Sequence, residues 1–369
     1  MGTRIGGFIG FSTSASATGA RGIWNADSQA YFMRQGEAFW PVGESIGAIN
    51  ATGGTIETPG NGYRYHYYTS SGTFNVIAGG GSGVVYIVGG GGGGGHGSGG
   101  AGGGGAGGMR TVPTVISVGT VSVVVGAGGQ GPPAYAGGEG GAPTAYQNGV
   151  VGSASTITSV GGQEIRGIYA SGGGGGAATT TPVTSVLGGS GGGDSAYRIV
   201  ETNPLVSPGP GLTSNAGNLG GFTPPEGNRG GWTSSGSISP NYGASGGGGA
   251  GGVGGAGNPS TGAAGGVGAA FADPAIPSSY GTPGPDGALR YFAAGGGGGT
   301  YLSGTTPNQY GGGGRGGARA TIGATHNPYQ DGTANTGSGG GGLGDNVGGP
   351  TGCGTGKGGS GFVCIRYPV

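Results

Sequence analysis

The chain has 369 residues, of which 112 are glycine and 22 are proline, and thirteen cationic side chains balance thirteen acidic ones. Glycine costs a helix or strand interior roughly 0.5–1 kcal/mol relative to alanine, so nearly one glycine in three residues excludes a helical bundle or a Rossmann-type enzyme. Collagen is excluded as well, because glycine does not recur strictly at every third position with proline between.

Residues 1–50 are the least glycine-dominated stretch and read as a separate leader, with 51–369 forming the glycine-rich domain. Within the leader, Asn25 to Gly36 suits a short helix, capped by Asn25 or Asp27 and ended by Gly36. Trp24, Tyr31, Phe32, Phe39 and Trp40 make it the densest aromatic segment of the chain. Two readings stand for these rings: docking onto a larger particle, or a small core of the leader's own.

Strands are expected from Thr52 onward. Tyr63 to Thr69 and Thr73 to Ile77 flank Ser70-Ser71-Gly72, a hairpin turn signal. Val84-Val85-Tyr86-Ile87-Val88 is a continuous apolar run of buried-strand type. After twenty residues of Gly, Ala, Ser and one His (89–108), Thr111 to Val118 and Thr120 to Val125 read as a second strand pair. Phe362 to Tyr367 supplies a final strand. Strands at both ends of the domain imply one sheet or sandwich built from both ends. The fold class is therefore mainly β, with packed glycine tracts and long irregular loops.

Glycine runs at 172–176, 188–193, 246–257, 295–299, 311–317 and 337–344 alternate with insertions at 194–245, 258–294, 300–310 and 321–336. Disordered chains usually carry repulsive charge, whereas only 7% of residues here are charged. Ordered tracts are therefore expected. Glycine can adopt the extended three-residue helix of polyproline II type, and neighbouring tracts can pair its outward-facing amides and carbonyls. Residues 89–108 would span about 60 Å in one such helix, with occasional Ala or Ser on its outside.

Most catalytic and binding motifs fail. His66, His96 and His326 lie far apart, and no acid stands at a telling spacing from them. Asp273 and Asp286 sit in Pro/Gly loops. Matches to G-x-G-x-x-G carry no information at this glycine content. The segment around Lys357 fails as a phosphate loop, since Thr351 stands where its first glycine belongs and Gly358 where its Ser or Thr belongs. No enzyme activity, cofactor or metal is expected. The basic residues are scattered, with one Arg-Gly-Gly unit at Arg315, so nucleic-acid binding is not expected either. No apolar run reaches membrane-spanning length, and the first residues lack a signal-peptide apolar stretch. Cys364 reads as a small buried hydrophobe in the last strand, and a disulfide with Cys353 is the other reading.

The insertions hold the candidate recognition residues. Tyr197, Arg198, Phe222, Arg229, Trp232 and Tyr242 lie in the first large one, and Tyr280, Arg290, Tyr291, Phe292, Tyr301 and Tyr310 in later ones. Tyr, Trp and Arg are the anchors that interfaces favour, although in so small a core any aromatic can also serve to cover the glycine tracts.

The segments Tyr65-His66-Tyr67-Tyr68-Thr69-Ser70-Ser71-Gly72-Thr73-Phe74-Asn75-Val76 and Val84 to Val88 running into polyglycine resemble the opening of glycine-rich domains in bacteriophage tail-fibre and other virion proteins. So do Val123-Val124-Val125-Gly126-Ala127-Gly128-Gly129 and the ending Gly359 to Tyr367. The leader around Trp24 looks like a segment that precedes such domains in marine phage structural proteins. The resemblance implies a virion component assembled in the host cytoplasm. Its most direct form is a tail-fibre or adhesin component that displays host-recognition loops on a rigid glycine scaffold. The alternative is a purely structural capsid decoration or tail protein. Implied partners are other virion proteins, a host-surface glycan or outer-membrane protein, and further copies of the chain, a trimer by analogy with fibres. Nucleic acid and membrane insertion are not implied.

Overall fold

The computed structural model describes residues 48–133, 147–160, 167–178, 187–196, 216–233, 242–285, 287–301, 310–317, 329–345 and 355–369. The leader, with its expected helix and its five aromatic rings, lies outside the described residues, as do Tyr197, Arg198, His326 and Cys353. Among the described residues there is no helix, so none is long and apolar enough to cross a membrane.

The strands are β1 (Asn50–Thr52), β2 (Thr55–Glu57), β3 (Tyr63–Tyr68), β4 (Gly72–Ala78), β5 (Gly81–Val88), β6 (His96–Ser98), β7 (Met109–Ile116) and β8 (Gly119–Val124). They continue with β9 (Ser155–Val160), β10 (Ile168–Ala170), β11 (Ala269–Ala270), β12 (Thr282–Pro283), β13 (Arg290–Phe292), β14 (Leu343–Asp345) and β15 (Phe362–Pro368). Two five-stranded antiparallel sheets dominate, ordered β2-β3-β15-β5-β7 and β1-β4-β8-β9-β10. The mainly β expectation holds, and so does closure from both ends: the last strand inserts between β3 and β5 at the middle of the first sheet.

The expected hairpins do not form. β3 and β4 follow one another in sequence but belong to different sheets, and β7 and β8 do the same. Each short turn carries the chain across the sandwich, because burial of both apolar faces requires a partner sheet rather than a two-stranded ribbon. Phe74, Val76, Val121, Val123 and Ile157 of the second sheet meet Val85, Ile87, Val363, Ile365 and Tyr367 of the first in one core. The opposite face of the first sheet is also covered. There Tyr65, Tyr67, Tyr86, Phe362 and Cys364 pack against Phe271 and Ile276 of a long insertion and Phe292 of β13 within it. Burial on both faces explains why β5 and β15 are apolar at consecutive positions rather than alternating. Ile49 is buried in the sandwich core and Asn50 opens β1.

Beyond the sheets the glycine tracts pack against one another with a strict three-residue rhythm. The amides of Gly89, Gly92 and Gly95 donate to the carbonyls of Gly108, Gly105 and Gly102. Those of Gly90, Gly93 and His96 donate to Ser153, Val150 and Gln147, and those of Gly91 and Gly94 to Gly359 and Gly356. Each residue thus faces the same neighbour as the residue three positions on, which is the screw of the polyproline II helix. Antiparallel neighbours predominate here, but Gly173 and Gly176 donate to Gly90 and Gly93 in parallel.

Two expectations about these tracts are corrected. Residues 89–108 do not run as one long rod: the chain turns at 96–101, and two seven-residue legs of about 22 Å each pair with one another. Folding back supplies partners for backbone groups that one extended rod would leave to water. Nor are alanines and serines confined to the outside, where Ala127 and Ala256 do lie. Ala101, Ala106, Ala177, Ser190 and Ser245 are all fully buried. Ala106 packs into the second core, and Ser245 Oγ accepts the Gly257 amide, so these small side chains fill points where tracts meet sheet or loop.

Candidate functional site

The loop that covers the first sheet is fixed by one carboxylate. Asp273 is buried, and its oxygens take Arg366 Nη1 at 2.6 Å, the Tyr86 hydroxyl at 3.0 Å, the Tyr65 hydroxyl at 3.1 Å and the Ala275 amide at 3.1 Å. Arg366 also lies over the Tyr63 ring, 4.6 Å from its centroid. Burial pushes the Tyr65 and Tyr86 hydroxyls up, so both stay protonated and donate to the carboxylate.

Three candidate recognition residues lie in this arrangement. Phe292 is fully buried and stacks on Phe362 at 5.0 Å. Tyr280 stacks on Tyr67 at 4.6 Å. Arg290 donates to the backbone carbonyls of Ser278, Tyr280 and Gly281, bracing its own loop. Phe292 thus belongs to the second core, Tyr280 packs against it and Arg290 braces the loop, on a sheet face that Ala106, Met109 and Ala250 also help to cover. Elsewhere Tyr291 pairs with the exposed Tyr310 at 6.1 Å and Tyr242 with Tyr301 at 5.6 Å. Arg229 and Trp232 are half-buried, and the Arg229 carbonyl accepts the Gly254 amide of a neighbouring tract. The candidates among the described residues therefore do not converge on one site.

Phe222 lines a cleft, of about 330 Å³, at the seam between the sandwich and the glycine tracts. The cleft lies between the start of β7, the loop through Pro224 and Pro225, and Ala270-Phe271. Asn218 knits the loop: its Oδ1 accepts the Phe222 and Glu226 amides and its Nδ2 donates to the Phe222 carbonyl. Glu226 is buried behind the cleft, its two oxygens accepting the Ser171 and Gly220 amides at 2.9 Å each.

Arg110 is the polar wall. Its guanidinium carbon sits 3.5 Å from the Phe222 ring centroid, a cation–π contact, and 6.0 Å from that of Tyr169. Its Nη1 donates to the Tyr169 carbonyl at 2.6 Å. That bond ties β7, an edge of the first sheet, to β10, an edge of the second. Burial pulls the guanidinium below its ordinary pKa and the Glu226 charge pulls it back. The site can hold a small molecule between apolar walls and a few directional polar groups. Among the described residues no three His, Cys, Asp or Glu side chains come together as a metal site. Cys364 is free, fully buried, and its thiol is pushed up by burial, as suits the hydrophobe reading.

Arg110, Thr111, Pro224 and Glu226 escape sequence reasoning. Arg110 looks like a strand residue and Glu226 like an ordinary loop acid. The Pro224-Pro225 pair beside Phe222 was the available signal of a stiff, apolar loop. The sequence matches no protein-family model and no curated protein.

Proposed function

We propose that this chain is a structural protein of a bacteriophage particle, of tail-fibre or adhesin type, which presents recognition loops on a rigid glycine scaffold. The observation that carries the reading is the scaffold itself. Backbone-bonded tracts offer no conventional side-chain core, yet they hold insertions such as the 218–226 loop in fixed places at the surface. A stiff mount for variable loops is what host recognition outside a cell requires. The partners in this reading are other virion proteins, bound through the leader, a host-surface glycan or outer-membrane protein, and two further copies of the chain.

Competition of the purified chain with adsorption of the particles that carry it tests the proposal. A dose-dependent block is expected, and no competition at saturating dose contradicts the adhesin role. Exposed Val150, Val151, Val253 and Val267 along the outer tracts favour the alternative of a capsid or tail protein packed against neighbouring subunits. Labelling of the chain at the capsid surface by electron microscopy would select that reading.

A further inference from the structure

The cleft beside β7 has three properties that together narrow its ligand. The first is shape: Phe222, Pro224 and Pro225 form apolar walls on a loop that Asn218 locks, and the volume of about 330 Å³ is at the small end of ligand sites. The second is polarity. The Met109 amide turns away from β5 to the Glu226 carbonyl, so the alternation of an antiparallel ladder turns the Thr111 amide and carbonyl outward as well. Thr111 lines the cleft, and Arg110 keeps Nε and Nη2 for acceptors other than Tyr169. The third is charge. Arg110 at the wall and Glu226 behind it, its oxygens held by the Ser171 and Gly220 amides, are the two charged residues of the lining, so the cleft carries no net charge for a charged ligand to neutralise.

An added peptide strand fits poorly. Strand addition needs outward amides along β7, and Pro113 occupies the next outward position without an N–H. A ring with C–H faces for Phe222 and proline, hydroxyls for Arg110 and the Thr111 peptide, and no charge satisfies all three properties.

We infer that the cleft binds one neutral pyranose ring, a unit of an uncharged surface glycan; the glycan as source rests on the adhesin reading, whereas the chemistry rests on the cleft. The test is titration of the ¹⁵N-labelled full chain with methyl glycosides of glucose, galactose, mannose and N-acetylglucosamine, followed by amide shifts. N-acetylneuraminic acid and lysyl-lysine serve as charged probes. At least one neutral glycoside should shift Thr111, Phe222 and Ala270 saturably in the millimolar range, and the charged probes should not. Arg110→Met, and separately Thr111→Trp on the exposed edge strand, should weaken binding by roughly tenfold or more while slow exchange in the glycine tracts persists. Absence of saturable shifts with all four glycosides, preference for a charged probe, or binding that survives both substitutions overturns the inference. Adsorption competition without glycoside binding would sink the cleft and leave the adhesin role standing; glycoside binding without competition would do the reverse.

Discussion

A single methyl group discriminates between glycines that serve the scaffold and glycines that do not. A Cβ on Gly92 would lie 2.1 Å from the carbonyl oxygen of Gly174, which is already held by the Gly105 amide. Neither backbone can retreat without breaking its other bonds, so Gly92→Ala should lower stability by about 3 kcal/mol. At Gly167 a Cβ would meet nothing within 4 Å, so Gly167→Ala should change stability by less than about 0.5 kcal/mol. Denaturant unfolding of the two variants checks the pair.

His66 gives a pH-dependent counterpart at the same scale. It is fully buried, with Nδ1 donating to the Gly53 carbonyl at 2.7 Å and Nε2 accepting from the Tyr367 hydroxyl at 2.9 Å. This pairing needs the neutral ring. Burial, the largest cause, and the Arg64 charge both hold its pKa below the ordinary 6.5, and the Gly53 bond opposes them. The unfolded chain therefore takes up the proton first on acidification. Stability conferred by the neutral ring is complete above pH 6.5 and falls below it, by up to about 1.4 kcal/mol per pH unit. Thermal unfolding between pH 7.5 and about 5 should show this decline, and His66→Gln should flatten it.

Among the elements, β15 and the 271–292 loop decide whether the first sheet stays closed. β15 is hydrogen-bonded on both sides and contributes to both cores. Asp273 ties the loop to it through Arg366, and Asp273→Ala would leave the buried Tyr86 hydroxyl without its partner. A loss of about 3 kcal/mol is expected, with amide protection falling first across the loop. Asp273→Asn keeps acceptor capacity and should lose less.

These elements also mark how far sequence reasoning reaches. The apolar runs Val84 to Val88 and Phe362 to Ile365 announce strands because doubly buried strands need every position apolar. Their partners are another matter. Turns such as Ser70-Ser71-Gly72 carry the signal of a hairpin whether the chain reverses within one sheet or crosses to the next, and only the shared core of Phe74 with Ile365 decides between them. The site was less legible still. Phe222 could be named from its type, but Arg110 acquires its role from β10 and from Glu226, residues 59 and 116 positions away. Phe292 and Arg290 have the residue types of interface anchors, yet Phe292 packs in the core and Arg290 braces its own loop, because composition does not reveal that the first sheet has two faces to cover.

At the scale of the whole molecule, the glycine tracts replace the interior that so few large side chains could not fill. A backbone lattice in which each three-residue turn donates to three neighbouring segments and accepts from others satisfies its own polar groups and admits almost nothing larger than hydrogen at its contacts. It explains the composition, the paucity of charge and the tolerance for long insertions between tracts. The most direct test is hydrogen exchange of the amides in residues 89–108. The lattice predicts slow exchange for Gly89 to Gly95 and Gly102 to Gly108, governed by global unfolding. Rapid exchange across those residues, at the rate of a free glycine peptide, would contradict it.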